Sequence, residues 1–277
     1  MRSKGRRGAL SWALYLMVMG AAIVTFGVLI FLVLYILVKG LPHITPSLFA
    51  WEYTSENVSL LPALINTLFI AVVSLVIAVP IGISSAIYLV EYARRGNKIV
   101  QVIRMTTETL AGIPSIVYGL FGLLFFVKTM KLGQSILAGS LTLAIMILPL
   151  IMRTTEEALK AVPDSFREGS FGLGAGRVRT IFRIILPSAT PGILAGVILS
   201  VGRIVGETAA LMYTSGTVAK TAHGLMGSGR TLAYHMYNLS SEGFHTDEAY
   251  ATAVVLLALV MVINWISGMV AKRLTRV

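Results

Sequence analysis

The sequence predicts an all-α, polytopic membrane protein with six transmembrane helices and both termini in the cytoplasm. Three observations support this fold class: a very apolar composition, six long apolar segments, and basic residues concentrated on one side of those segments. Hydrophobic residues make up 56% of the 277 residues and charged residues only 13%, whereas soluble proteins have about 25% charged residues. A chain with so little charge cannot cover a water-facing surface, so an integral membrane protein is expected.

The six apolar segments each meet or approach the length of about 17–25 residues that a helix needs to cross a bilayer. Continuous apolar runs of this length are typical of spanning helices rather than of buried strands. The first run is too long for the apolar part of a cleaved signal peptide, so it is expected to remain as the first helix. Residues 1–277 are expected to form a single transmembrane domain without a soluble module. The predicted spans are 12–38, 62–90, 109–127, 134–152, 189–214 and 251–271.

Basic residues determine the predicted orientation. Seventeen of the 23 Lys and Arg residues lie in the segments 1–11, 91–108, 153–188 and 272–277, which the six spans place on one side of the membrane. Five lie on the other side, and Arg203 lies inside a predicted span. Because Lys and Arg concentrate in cytoplasmic loops, both termini are predicted to be cytoplasmic.

Several classes of site are not expected. The chain has no cysteine, so disulfides and thiolate metal sites are excluded. His223, His235 and His245 are too far apart in sequence for a compact metal site and are expected to be solvated loop residues. No Gly-x-x-x-x-Gly-Lys-Ser/Thr motif occurs, so any ATP must bind to another chain. The predicted spans contain no histidine, so Ser115 and Ser200 have no partner for a catalytic Ser–His dyad.

The segment 153–188, between the fourth and fifth predicted spans, is long enough to have structure of its own. Pro163 cannot continue a preceding helix, and Ser165-x-x-Glu168 fits a capping box, so a helix is predicted to start here. Glycines at positions 172, 174 and 176 predict that this helix ends in a sharp turn. These glycines do not lie between a strand and a helix, so a phosphate-binding glycine loop is not expected.

A second short helix is predicted from Arg177 to Leu186, with an apolar face, a basic face, and Pro187 stopping it at the membrane surface. The residue pattern leaves two interpretations of the whole segment 153–188. It either lies on the membrane surface as an ordinary amphipathic loop, or it docks another protein.

Arg203 and Glu207 are the two charged residues within a predicted span, four positions apart, so they are expected to share a helix face and pair. A charge in hydrocarbon costs at least about 2.5–3.5 kcal/mol, so both should face protein or water. Two functions stay open. The pair either locks two helices together, or it lines a transport pathway in which the planar donors of Arg203 bind phosphate or carboxylate oxygens.

The spacing Glu168-x5-Gly174-x9-Ile184-x-Leu186-Pro187 resembles the EAA signature of ABC importer permeases, with Gly169 and Ser170 in place of its two alanines. The resemblance implies a type I ABC importer permease fold and a transport subunit rather than an enzyme. It also implies that this loop forms a short coupling helix that docks in a groove of a cytoplasmic ATPase. The residues that the resemblance assigns to ATPase docking are Asp164, Arg167, Glu168, Gly169, Ser170, Gly174, Leu186 and Pro187.

The stretch from Arg203 to Leu211 is similar to permeases of the phosphate-specific ABC importer, as are Asn66-Thr67-Leu68 and the segments 110–119 and 153–159. Its Glu-Thr-Ala sequence resembles the PstA subunit, whereas the sister PstC subunit more often has Glu-Thr-Met. This resemblance implies that the chain forms half of a pathway that moves inorganic phosphate inward, with Arg203, Glu207 and Thr208 along it.

The same resemblance implies partners and a location. The expected partners are a PstC-like sister permease, two PstB-like ATPase subunits and a PstS-like external phosphate-binding protein, with membrane lipid around them and no nucleic acid. ATP and Mg would be held by the ATPase, and no cofactor is expected in this chain. The expected location is the cytoplasmic membrane of a bacterium or archaeon. The alternative is a self-contained secondary transporter or anion channel that uses Arg203 and Glu207 without an ATPase.

Overall fold

The computed structural model describes residues 4–94 and 96–274, and all regular elements within these residues are helices. Three wider, π-helical turns continue α-helices without interruption: Tyr88–Tyr92 follows α2, Leu123–Thr129 follows α4, and Ile181–Ile185 joins α7 to α8. The α-helices are α1 Lys4–Gly40, α2 Leu61–Ile87, α3 Lys98–Ala111, α4 Ser115–Gly122, α5 Ile136–Lys160, α6 Asp164–Gly172, α7 Arg177–Thr180, α8 Leu186–Val205, α9 Ala209–Thr214, α10 Leu232–Glu242 and α11 Thr246–Leu274.

Five helical segments of the described chain are long and apolar enough to cross a membrane: Leu10–His43, Leu61–Tyr92, Ile136–Lys160, Arg177–Val205 and Thr246–Ala271. A sixth is obtained if Lys98–Ala111 and Ser115–Thr129, which meet at an angle of 102°, are counted as one broken span. The continuous span expected at 109–127 is therefore wrong at its start. Pro114 lacks an N–H and restricts the residue before it, so the backbone turns between Ala111 and Ser115.

The prediction that Pro187 stops a short helix is also wrong. The helix that starts at Arg177 runs without a break to Val205, and Pro187 lies in the first turn of α8. The π-helical turn Ile181–Ile185 comes directly before it. A wider turn gives the proline ring room and re-routes the backbone hydrogen bond that proline cannot donate, so the helix continues.

Helices α2, α5 and α8 form the centre of the bundle. Ile70, Leu143 and Ile151 in this core are fully buried. The helices approach closely at glycines, since a Cβ placed on Gly82 of α2 would lie 2.7 Å from the side chain of Ile151 on α5. Close approach at small residues is how helices pack in a membrane, where apolar contact with lipid competes equally with apolar contact between helices.

Asn66 near the start of α2 holds the segment 215–231, which folds back beside the starts of α2 and α5. Its side-chain nitrogen donates to the carbonyls of Lys220 (2.9 Å) and Arg230 (3.1 Å), and its oxygen accepts from the N–H of Ala222 (2.9 Å). The neighbouring Thr67 accepts from the N–H of Leu232 at 2.8 Å. Backbone groups of an irregular segment are thereby paired where water is scarce.

His235 on α10 is not the solvated loop residue that was expected. Its side chain is fully buried against the ring of Tyr53, and the guanidinium of Arg230 lies 4.6 Å from the centre of the same ring. Burial, and then the nearby charge of Arg230, lower the pKa of His235 to about 3. Among the described residues, no group of three or more His, Asp or Glu is placed to hold a metal ion.

Candidate functional site

Arg203, Glu207 and Thr208 lie at a break between α8 and α9. Helix α8 ends at Val205, and its last bonds are donated by the N–H of Gly206 to Gly202 (3.2 Å) and by the N–H of Glu207 to Ile204 (3.1 Å). The chain then leaves the helical path until Ala209. The continuous span expected at 189–214 is therefore interrupted at the residues that the sequence singles out.

Glu207 is buried, with 9% of its surface exposed. Its Oε1 accepts a hydrogen bond of 3.1 Å from the N–H of Ala210 in the first turn of α9. A charged acceptor pairs well with the free N–H groups that every helix start presents. Glu207 therefore caps α9, and this capping explains why the backbone breaks where it does.

The expected ion pair between Arg203 and Glu207 does not form, although both residues lie within the described chain. The expectation assumed that one helix continues through both residues. Because α8 ends at Val205, the carboxylate of Glu207 turns to α9 instead. Arg203 is half-buried, and its guanidinium has no hydrogen bond or ion pair with any residue that the structure describes. A cationic donor is left available inside a membrane-spanning segment.

A second helix break lies beside the first. The chain turns between α3 and α4 at residues 112–114, and the hydroxyl of Tyr118 donates across this turn to the carbonyl of Leu110 at 2.8 Å. Gly119 packs directly on α9, since a Cβ there would lie 2.8 Å from the Cα of Ala210. Paired helix breaks within the bilayer are typical of substrate sites in transporters.

Tyr118 and Gly119 belong to the segment 110–119 that the sequence resemblance included, yet the residue pattern gave them no individual role.

Thr208 lies at a cavity whose lining does not include Arg203. It lines a mainly apolar cavity of about 640 Å³ between α1, α9, α10 and α11, together with residues such as Met212 and Tyr250. The three predicted pathway residues are thus close in sequence, but Arg203 does not line the cavity that Thr208 lines.

The α6 region begins differently from the prediction. The residue before the helix is Pro163, and neither Ser165 nor another side chain caps its first turn, so the capping box is wrong. Asp164 occupies the first helical position instead, where a carboxylate is favourable. The turn after α6 agrees with the prediction, because Gly174 has a φ of +80°, a conformation that glycine adopts without strain.

The predicted docking residues divide into two groups. Asp164, Glu168, Gly169, Gly174 and Pro187 are exposed, whereas Arg167 and Ser170 turn towards the protein and Leu186 packs in an apolar cluster.

Large apolar side chains surround the exposed group. Phe166 and Phe171 are each 47% exposed, and Leu173 at the tip of the turn is 91% exposed. Apolar side chains exposed together on a turn outside the spanning helices are typical of a surface that contacts another protein or a membrane. The sequence spacing identified this segment but not these three residues.

Arg167 connects α6 to two other helices. Its Nη2 and Nε bind the carboxylate of Glu91 at 2.7 and 3.2 Å, directly after α2. Its Nη2 and Nη1 also donate to the carbonyls of Leu159 (3.0 Å) and Val162 (2.9 Å) at the end of α5. Glu91 has no sequence motif that would have marked it. We call this arrangement of Glu91, Arg167 and the two carbonyls the Arg167 clamp.

The family described as "Binding-protein-dependent transport system inner membrane component" matches residues 78–276, which include both breaks and the α6 region. The chain belongs to this family. It is therefore a permease subunit of an ABC importer, a transport protein rather than an enzyme. Permeases of this family work with an ATPase and a substrate-binding protein.

Relatives within this family include phosphate permeases. The chain is 33% identical over 282 residues to the probable ABC transporter permease protein YqgI of Bacillus subtilis, covering 92% of this chain and 94% of that protein. It is 38% identical to the phosphate transport system permease protein PstA 1 of Mycobacterium tuberculosis, covering 77% and 71%. It is 35% identical to PstA of Pasteurella multocida, covering 83% and 82%. The predicted resemblance to PstA-type permeases is confirmed.

Solved ABC importers share the fold of this permease. A bacterial transporter involved in the import of alginate matches with a TM-score of 0.68 and 17% identity, over 98% of both chains. The MetNI methionine transporter in an inward-facing conformation matches with a TM-score of 0.60 and 19% identity, over 77% of this chain and 93% of that one. The predicted ABC importer fold class is confirmed, and the cytoplasmic location of the termini stays a prediction.

We predict that Glu207→Gln keeps the break between α8 and α9, because the amide oxygen can still accept from Ala210. Glu207→Leu removes the acceptor and should lower the stability of the permease by about 0.5–2 kcal/mol, the usual effect of losing a helix cap. Thermal unfolding of the purified permease in detergent measures both, with Glu56→Leu at an exposed site as the control. Equal melting temperatures for the two Glu207 variants would show that the cap does not hold the break.

Proposed function

We propose that this permease is the PstA-type subunit of an ATP-driven importer of inorganic phosphate and forms half of the translocation pathway. The observation that carries the proposal is the guanidinium of Arg203, which has no partner among the described residues and lies next to a helix break inside a membrane-spanning segment. The identity to PstA permeases supports phosphate as the anion. A PstC-like sister permease would supply the other half of the pathway, and a PstS-like protein would deliver phosphate from outside.

Arginine suits this role for chemical reasons. It stays charged when partly desolvated, and its planar donors match the oxygens of phosphate. Because Glu207 is bound to α9, phosphate does not have to displace a carboxylate from Arg203. In this proposal Arg203 binds the anion transiently during passage. Glu207 and Gly119 fix the conformation of the surrounding backbone.

Replacing Arg203 tests the proposal. We expect Arg203→Gln to abolish ATP-dependent phosphate uptake by proteoliposomes that contain the assembled transporter, while assembly is retained. Arg203→Lys should keep only part of the uptake, because it keeps the charge but lacks the planar fork. Lys128→Gln, an exposed residue after α4, is the control. Normal uptake by Arg203→Gln would contradict the role of Arg203, and uptake by this chain without an ATPase would favour the self-contained transporter or channel.

We further propose that α6 and the turn after it dock in a groove of a PstB-like ATPase, of which two copies serve the two permeases. Phe166, Phe171 and Leu173 would enter the groove, and the exposed Glu168 would contact its rim. Closure of the ATPases on ATP would push on α6. This arrangement requires α6, and with it both termini, to face the cytoplasm of a bacterial or archaeal cell, in agreement with the distribution of basic residues.

The Arg167 clamp would transmit this movement of α6 to the spanning helices. A helix of nine residues joined only by flexible turns would move without moving the helices above it. The guanidinium of Arg167 instead binds the end of α2 through Glu91 and the end of α5 through two carbonyls, and it is only 16% exposed. Partial burial strengthens such bonds relative to surface ion pairs. Arg167 and Glu91 are therefore positioning residues that make α6, α2 and α5 move together.

We predict that Glu91→Gln uncouples ATP hydrolysis from uptake, because the neutral amide binds Arg167 more weakly than the carboxylate does. The assembled transporter should hydrolyse more ATP for each phosphate imported. The control is Glu157→Gln, which removes the exposed ion pair with Arg153. An unchanged ratio of ATP to phosphate in Glu91→Gln, with normal ATPase binding, would show that the clamp does not transmit motion.

A further inference from the structure

A second cavity, of about 680 Å³, opens at the α6 end of the molecule. It lies between α3, α6 and the wider turn that follows α2. Its lining is rich in charge, with five basic side chains and two carboxylates among the described residues. The basic residues are Arg94, Arg104, Lys160, Arg167 and Arg177, and the carboxylates are Glu91 and Asp164. We call this space the basic cavity.

The acidic groups do not neutralise the basic ones. Glu91 and Asp164 are both engaged by Arg167. The single carboxylate of Glu156 serves two bases, Arg104 at 2.7 Å and Lys160 at 2.6 Å.

Two arginines of the lining have no carboxylate partner among the described residues. Arg94 and Arg177 form no ion pair with any residue that the structure describes, and the guanidinium of Arg177 is held over the ring of Tyr92 at 5.5 Å. The basic cavity therefore carries an excess of positive charge on planar donors that are free to bind an anion.

The spanning segments place this cavity at the membrane surface. Glu91, Lys160 and Arg177 line it, and each lies at or next to the end of a long apolar helical segment, namely Leu61–Tyr92, Ile136–Lys160 and Arg177–Val205. Basic side chains at the ends of spanning helices lie close to the headgroups of the bilayer. The basic cavity is therefore within reach of lipid phosphates as well as of phosphate in solution.

We propose that the basic cavity binds a phosphate group, supplied by the headgroup of an anionic lipid or by inorganic phosphate on the α6 side. Arg94 and Arg177 bind its oxygens, and Arg104 and Lys160 add to the attraction. This site is separate from the break at Arg203. Arg177 and Arg203 lie near opposite ends of the helical segment Arg177–Val205, which corresponds to roughly 39 Å of helix rise. A ligand here would contact α6 and the turn after α2 together, next to the Arg167 clamp.

Two matched double variants of the full chain test the proposal in nanodiscs. Arg94→Gln with Arg177→Gln removes the two unpaired arginines of the cavity. Arg179→Gln with Arg183→Gln removes the same charge from exposed positions of the same region that do not line it. Inorganic phosphate binding is measured with radiolabelled phosphate in phosphatidylcholine discs. Lipid binding is measured by native mass spectrometry after reconstitution in phosphatidylcholine with phosphatidylglycerol.

The two measurements distinguish the sources of the phosphate group. A loss of about tenfold or more in phosphate affinity, seen only in the cavity variant, supports inorganic phosphate, since each charge-assisted bond contributes about that much. A selective loss of retained phosphatidylglycerol supports the lipid. Equal behaviour of the two double variants in both measurements would overturn the proposal, because binding would then reflect general charge. If the cavity double variant does not fold, the singles Arg94→Gln and Arg177→Gln are compared with Arg179→Gln in the same way.

The outcome is independent of the proposed function. The intramembrane residue Arg203 is present in every variant, so any phosphate bound there is the same in both and cancels in the comparison. The basic cavity can therefore fail this test while Arg203-dependent uptake is intact, and the reverse also holds.

Discussion

The carboxylate of Glu207 is the constraint on which the second half of the membrane domain depends. A carboxylate buried among spanning helices is strongly unfavourable without donors. The N–H of Ala210 supplies a donor only if a new helix starts there, so α8 ends and α9 begins. Arg203, on the last turn of α8, is then left with no hydrogen bond or ion pair among the described residues. It also presents the backbone of α9 to Gly119, which brings the break at residues 112–114 next to the break at residues 206–208.

The arrangement at the starts of α2 and α5 depends on the same break. After α9 the chain does not cross the membrane but folds back as the irregular segment 215–231. Asn66 pairs two carbonyls and one N–H of this segment, and the segment in turn covers the start of α5, where Ile136 donates to Gly227 at 2.8 Å. Irregular backbone survives at this depth because side chains and neighbouring helix ends satisfy its polar groups.

The sequence predicts the helical class, the membrane location, the family and the two important segments, because these depend on composition and on short spacings. It does not predict which hydrogen-bond or ion-pair partners the individual side chains have. The spacing of Arg203 and Glu207 predicts an ion pair, because helix periodicity is the only geometry that a linear pattern provides. The pattern contains no signal for the hydrogen bond between Glu207 and the backbone of α9. In the same way, the spacing places Arg167 among the docking residues, whereas its partner Glu91 lies 76 positions earlier, beyond any local motif. The sequence around Pro187 predicts the end of a helix, because a wider turn before a proline leaves no sequence signal.

A double-variant cycle tests the central claim most directly. The claim is that Arg203 binds the anion and does not form a structural ion pair with Glu207. The measurement is phosphate uptake and yield of the assembled transporter for Arg203→Gln, Glu207→Gln and the two changes together. If Arg203 contacts the anion, the double variant should assemble but stay as inactive as Arg203→Gln alone. If the two residues form a buried pair in the working transporter, either single change leaves an unpaired charge and the double variant recovers. Recovery of both assembly and transport by the double variant would contradict the account.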